Sequence, residues 1–230
     1  MSVRDSSGRH FSLCVGRQLG SGGYEIAKQV SEKLGLKFYD KEVLVEAAKA
    51  SGLAAGLFLR SDEEKNSPSS YSSFGQFLQG SSRYGLQALY YSGFDDRTYF
   101  HLTSQTIQKL ATEADCLFVG RCAEYILRDA PLMLSVFIAA DKKDRIERIC
   151  RRQGVNENDA HKLIRSVDKK RAAYHDFYCD KRWGQAATYD LCINTSCMGM
   201  DDAAKLIVDF VKHQLSKEGV EIEGGVEDSK

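Results

Sequence analysis

The sequence predicts an α/β fold, with a parallel sheet covered by helices on both faces. Two observations carry this. Short apolar runs alternate along the chain with segments of helical periodicity, the pattern of strand–helix–strand crossover units. The first run, "HFSLCV", feeds "VGRQLGSGGYEIAKQV", where a glycine cluster separates a strand from a helix.

Taken in order, residues 11–15 are short and apolar, as in a buried parallel strand. Ile26, Val30 and Leu34 then recur at helical spacing, and Gly35 closes that helix. "LKFYD" reads as a second strand ending at Asp40, and "KEVLVEAAKA" as a helix. Residues 60–82 are Ser-rich and read as an irregular segment. Leu102, Thr106, Leu110 and Ala114 mark the next helix. "DCLFVGR" gives the third strand and a turn, and "CAEYILRDA" a short helix stopped before Pro131. "MLSVFIAA" is the strongest strand pattern in the chain. Two charged helices follow, broken at Gly154–Val155. "YDLCINTS" is a last strand and "GMDDAAKLIVDFVKHQL" a last helix, with Asp201 or Asp202 as its expected cap. The stretch 217–230 is acidic and Gly-containing and reads as a disordered tail behind a single domain spanning 1–216.

With 230 residues the chain can bury a sizeable core, and its 32 basic and 32 acidic side chains balance. That balance argues against bulk nucleic-acid binding, which needs a basic footprint. No apolar run approaches the ~20 residues that span a bilayer, and the N-terminus lacks a signal-peptide core. These features predict a cytoplasmic protein without nucleic-acid or membrane partners, and they leave the oligomeric state open, a homodimer included. The seven cysteines are expected to be reduced. They form no CxxC pair, so no zinc set is expected, and Cys14, Cys116 and Cys192 read as small core residues on strands.

In parallel sheets, ligands bind beyond the carboxyl ends of the strands. The first strand ends in Gly20-Ser21-Gly22-Gly23. Such a turn aims successive amides at one point, and the following helix adds its positive end. This is an anion site that needs no lysine for its geometry. The second strand ends at Asp40, and beyond the third stand Gly120 and Arg121, able to hold a planar, permanently charged fork over the cleft. Arg145, Arg148 and Arg152 share one helix face; Arg165, Lys169 and Arg171 follow on the next helix, with Asp144, Glu147 and Asp168 interleaved. Together they suggest a lid that closes over phosphates; the alternative is a solvated, salt-bridged surface. Trp183 is expected to pack the lid helix on the last strand. A dinucleotide-binding fingerprint from Gly20 would require a small residue where Glu25 stands.

The segments "GRQLGSGGYEIAKQVSEKLGLKFYDKEVL", "VGRCAEYIL" and "KRAAYHDFYCDKRWGQAATYDLCINTS" together resemble the cytidylate kinase-like family, a divergent branch of the P-loop nucleoside monophosphate kinases. The resemblance spans about residues 11–215. It implies a three-layer fold with a five-stranded parallel sheet, a helical acceptor-binding insert at about 45–100 and an arginine-bearing lid at about 141–175. It also implies ATP and Mg²⁺ as cofactors and phosphoryl transfer to a nucleoside monophosphate, with CMP the leading acceptor. By position, Leu19, Gly20, Ser21, Gly22, Gly23, Tyr24 and Glu25 would hold the donor phosphates. Asp40, Arg121 and Arg165 would meet the acceptor, and Arg17, Arg121, Arg145, Arg148 and Arg152 would serve catalysis. The chain departs from the family pattern at its centre. Gly23 stands where the loop's lysine belongs, Glu25 at or beside the magnesium-binding hydroxyl, and Cys122 replaces the Asp of a Gly-Arg-Asp segment. Arg17 is the candidate substitute for the lysine, and Glu25 a candidate Mg²⁺ ligand; an ion pair of Arg17 with Asp40 or Glu25 is the alternative. The missing lysine also admits a second reading, a nucleotide-binding protein with weak or no kinase activity.

Overall fold

The computed structural model describes residues 2–4, 8–40 and 96–223. The expected acceptor-binding insert up to residue 95, the helix expected over 41–50, the Ser-rich segment 60–82 and the last seven residues of the tail lie outside the described residues.

Five parallel strands form the sheet: β2 (Ser12–Arg17), β3 (Lys37–Tyr39), β4 (Cys116–Val119), β5 (Met133–Ala139) and β6 (Leu191–Asn194), in the order β3-β4-β2-β5-β6. The first strand of the sheet is therefore central, paired with β4 on one side and β5 on the other. Its side chains alternate between two cores. Leu13 and Val15 join the layer that contains Ile26, Val30 and Leu34 of α1 (Gly23–Leu34) and Ile207 and Val211 of α6 (Met200–Lys217). Cys14 joins the opposite layer, with Ile107 of α2 (Asp96–Glu113) and Ala123 and Ile126 of α3 (Ala123–Ile126). This period-two division is what a parallel strand buried on both faces requires. Helices α4 (Lys142–Gln153) and α5 (Glu157–Tyr178) pack on each other through Ile149, Ala160 and Ile164.

The helix ends follow local chemistry. Gly35 closes α1 at φ 67°, its amide bonded to the Ser31 carbonyl. Gly154 ends α4 at φ 66°, and Asn156 caps α5 by accepting from the Asp159 amide at 3.0 Å. The expected cap of α6 is corrected: Gly199 occupies that position, while Asp201 accepts from Gln29 Nε2 at 3.1 Å. Cys192 is exposed, unlike Cys14 and Cys116, so it is not a core residue. Residues 217–223, expected within a disordered tail, are ordered. Helix α6 runs to Lys217, and β7 (Glu221–Glu223) pairs antiparallel with β1 (Ser2–Arg4). Trp183 packs edge-on against Phe137 of β5, centroids 5.2 Å apart, and its amide donates to Asp176 of α5 at 2.8 Å.

Phe137 is enclosed by Trp183 and Tyr189 and faces Gly16 of β2. A Cβ at residue 16 would stand 2.8 Å from the Phe137 ring and 3.2 Å from Tyr189. Gly16→Ala is therefore expected to destabilise the fold by about 1–3 kcal/mol through overpacking. Urea denaturation measures this, and an unchanged midpoint would refute the packing argument.

Candidate functional site

The glycine-rich turn begins where β2 ends, at the carboxyl edge of the sheet. Its conformation is imposed from outside. Three successive carbonyls are held by side chains: Leu19 by Arg145 Nε at 2.7 Å, Gly20 by Arg148 Nη1 at 3.1 Å, and Ser21 by the Thr195 hydroxyl at 2.9 Å. In a trans peptide the carbonyl of one residue and the amide of the next point in opposite directions. Tying the Leu19 and Gly20 carbonyls to α4 therefore turns the amides of Gly20 and Ser21 away from that helix. The Ser21 amide donates to the Gln18 carbonyl at 3.4 Å, and Thr195, after β6, directs the Gly22 amide in the same way. The arrangement is closed by Asp168 of α5. Its carboxylate accepts from the Leu19 amide at 2.9 Å and pairs with Arg145 Nη2. Arg145 and Asp168 thus grip both polar groups of one residue. The Leu19 side chain sits against the small core between α4 and α5.

The glycines answer to close approach. A Cβ on Gly20, whose φ is 80°, would lie 2.8 Å from the Arg145 carbonyl. At Gly23 a Cβ would lie 2.6 Å from Cβ of Arg17. The stem of Arg17 therefore occupies the space that a side chain at residue 23 would need, and the two exclude each other. Arg17 continues across the sheet edge, its Nη1 over Gly120, where a Cβ would come within 2.4 Å. Helix α1 starts from Gly22, the Gly23 amide donates to the Ser21 hydroxyl at 3.3 Å, and the helix brings its positive end to the turn.

Opposite the loop lies a second unusual turn. Gly120, Arg121 and Cys122 all take left-handed φ values, 76°, 63° and 57°. Two consecutive non-glycine residues there cost about 1–3 kcal/mol each, and such strain persists only where the surroundings enforce it. The Gly120 amide is bound to the Val15 carbonyl at 3.0 Å, and the Arg121 guanidinium lies 5.5 Å from the Tyr99 ring centroid and 5.9 Å from that of Tyr174. Burial opposes the charge on Arg121, but the two tyrosines outweigh it and raise the pKa.

Arg171 is the third cation. It donates to the Arg17 carbonyl at 2.9 Å. Burial, followed by repulsion from Arg121 and Arg145, lowers its pKa to about 10, against the attraction of Asp168. Arg17 is shifted well below the ordinary arginine value for the same reasons: burial first, then Arg171 and Arg121, with Asp40 offsetting only part. An arginine keeps its proton at neutral pH regardless. The lowered values of Arg17 and Arg171 therefore record burial together with mutual repulsion where three guanidinium groups converge.

The structure brings together Arg17, Asp40 and Arg121 beside the turn Leu19–Gly23, as the sequence suggests. The other expected residues stand differently. Arg145 and Arg148 spend donors on the turn's carbonyls and hold it from behind. Arg152 pairs with Glu25 at 2.8 Å on the surface. Arg165 is exposed on α5. Tyr24 is half-exposed and meets Phe38 edge-on at 5.5 Å. Sequence reasoning passed over Asp168, taken as one of several interleaved acids, and singled out Arg165 rather than Arg171. The signal was present: Ile164, Asp168, Arg171 and His175 follow at i, i+4, i+7 and i+11, one inward face of α5.

Farther along that face, His175 Nε2 lies 2.8 Å from Glu124 Oε1, and its Nδ1 3.2 Å from Asp176 Oδ1. Burial works against the imidazolium, yet the nearness of Cys179 and Glu124 outweighs it and pushes the pKa up to about 10. The Cys179 thiol falls to about 7, chiefly through its bond with Cys122 and then with His175, while Cys122 is raised.

Breaking a buried ion pair costs about 3–5 kcal/mol because one charge is left unmatched. Arg145 and Asp168 are 8% and 16% exposed. Asp168→Ala is accordingly expected to lower stability by about that amount in urea denaturation. An ordinary surface pair would cost about 1 kcal/mol or less, and a change that small would contradict the clamp.

The model of the cytidylate kinase-like family matches residues 12–197. No match is found among curated proteins. Among solved structures, an uncharacterized protein from Eubacterium ventriosum ATCC 27560 is 30% identical, with a TM-score of 0.66 over 88% of this chain and 99% of that one. A gluconokinase from Sinorhizobium meliloti 1021 shares the fold at 12% identity and a TM-score of 0.50, covering 92% of this chain and 98% of its own. A shikimate kinase from Bacteroides thetaiotaomicron is 10% identical, with a TM-score of 0.48 over 88% and 98% of the two chains. The family match covers most of the chain: the chain belongs to the cytidylate kinase-like family.

Proposed function

We propose that this protein is an ATP-dependent phosphotransferase acting on a nucleoside monophosphate, with CMP the first acceptor to test. The observation that carries the reading is the convergence of Arg17, Arg121 and Arg171 beside an amide-lined turn. Half-buried cations that repel one another are stabilised by the anion they are arranged to meet.

Each group then has a distinct task. The amides of the turn and of the first turn of α1 bind the donor phosphates. Arg17, lying across Gly23, supplies the positive charge that a lysine supplies elsewhere and bridges toward the acceptor side. Arg121 and Arg171 hold the acceptor phosphate, and Asp40 fixes the acceptor's other end. Arg145, Arg148, Thr195 and Asp168 are positioning residues, which keep the amides pointed at the phosphates. Catalysis in phosphoryl transfer is mostly such positioning together with charge stabilisation. Mg²⁺ accompanying ATP would neutralise phosphate charge. Glu25 fits as its one protein carboxylate, since Mg²⁺ retains waters and phosphate oxygens as its other ligands, provided that Arg152 releases one oxygen. The protein is proposed to work in the cytoplasm; no helix among the described residues is long and apolar enough to cross a membrane.

The glycine in place of the lysine favours a second reading, a nucleotide-binding protein with little or no turnover. A coupled assay measuring ADP release with each nucleoside monophosphate separates the two. Acceleration by at least one acceptor supports the kinase. Tight ATP binding by calorimetry with no acceleration selects the binding protein.

Removing one donor to charge developing in the transition state costs roughly 10²–10³ in rate. Arg17→Ala is expected to lower ATP affinity or turnover at least tenfold, and an unchanged variant would reduce Arg17 to a structural role. Because Arg17 and a side chain at residue 23 exclude each other, Gly23→Lys alone is expected to fail. The double variant Arg17→Gly/Gly23→Lys is expected to recover at least part of the function lost in Arg17→Ala. Function retained by Gly23→Lys alone would contradict the exclusion.

A further inference from the structure

Glu124, His175 and Cys179 offer one oxygen, one nitrogen and one sulfur, all within 4.8 Å of one another. The cluster joins two elements. Glu124 belongs to α3, directly after the strained Arg121 turn. His175 lies in the last turn of α5, and Cys179 caps that helix four residues later, so both project from one face. The His175 and Glu124 side chains are 5% and 11% exposed. Although Nε2 of His175 stands 2.8 Å from Glu124 Oε1, it is buried and out of line with any hydrogen-bond partner among the described residues. A buried polar atom rarely stays unsatisfied in that way. The Cys122 thiol interacts directly with that of Cys179 and brings a second sulfur to the group.

We propose that Glu124, His175 and Cys179, with Cys122 beside them, form a binding site for one divalent transition-metal ion, zinc by the character of the donors. Imidazole nitrogen, thiolate sulfur and carboxylate oxygen are the three protein ligand types of zinc, which takes four donors tetrahedrally. The fourth position falls to Cys122 or to water. Magnesium and calcium, which prefer oxygen donors, are excluded by the same chemistry. Bound there, the ion would fasten the end of α5 to the segment that carries Arg121. Cys122 would then serve as a ligand at the position where the family pattern has an aspartate. The proposal stands apart from the kinase reading, because it rests on donors that do not face the glycine turn.

Anaerobic titration of the reduced full-length protein with Co²⁺ tests it. The expected result is one Co²⁺ per chain, with visible bands of tetrahedral strength and a thiolate-to-cobalt charge-transfer band, both displaced by Zn²⁺. Cys179→Ser should reduce the charge-transfer band, and Glu124→Gln should weaken Co²⁺ binding at least tenfold while leaving that band. Cys192→Ser, which alters an exposed cysteine elsewhere, should change nothing. A weak octahedral spectrum from the unaltered protein would overturn the site, whatever the variants do. So would a charge-transfer band unchanged in Cys179→Ser, or one lost in Cys192→Ser.

Discussion

The grip of Arg145 and Asp168 on Leu19 is the interaction on which the rest of this site depends. A glycine-rich turn has little conformational preference of its own. Left alone it would point carbonyls and amides in any direction, and only amides attract phosphate. Here a carboxylate takes the Leu19 amide, a guanidinium takes its carbonyl, and the two are paired with each other. Arg148 and Thr195 extend the hold over the next two carbonyls. Helix α4, helix α5 and the segment after β6 thereby fix the direction of the turn's remaining amides. The arginines of α4 act on the loop from behind.

That constraint also frames the missing lysine. With the turn pinned, residue 23 lies against the stem of Arg17, and only glycine fits there. A cation is still delivered to the loop, but from the end of β2 rather than from the start of α1. The origin differs and so does the reach. Arg17 crosses to Gly120, so a single planar group spans the glycine turn and the arginine turn. A lysine in α1 would be a point charge on the donor side only. The accumulated repulsion among Arg17, Arg121 and Arg171 is consistent with a site whose ligand is strongly anionic.

Much of the fold was legible in the sequence because it rests on local signals. Each strand of the five-stranded sheet is a short apolar run, α1 ends at a glycine, and α4 and α5 part at Gly154. The core partition follows from period two in β2. The turns of the candidate site were legible too, since glycines in series and an arginine after a strand have few other uses. What the sequence hid were the long-range partners. Asp168 pairs with Arg145 across 23 residues and binds Leu19 across 149, and nothing local distinguishes it from the acids around it. The cap of α6 was misjudged because Asp201 is drawn to Gln29 of α1, a tertiary contact. The left-handed path at Arg121 and Cys122 was invisible for a similar reason: neither residue type prefers it, and neighbouring elements impose it. His175 and Cys179 drew no attention because only folding adds Glu124 and Cys122 to them.

The central claim is that Arg17 does the work of the absent lysine at a turn built to hold phosphate. A structure of the protein with Mg²⁺ and a non-hydrolysable ATP analogue tests this directly. The account predicts the terminal phosphates seated at the glycine turn and the start of α1, with the Arg17 guanidinium in hydrogen-bond contact with the γ-phosphate. A nucleotide bound elsewhere, or seated at the turn with Arg17 directed away from its phosphates, would contradict it.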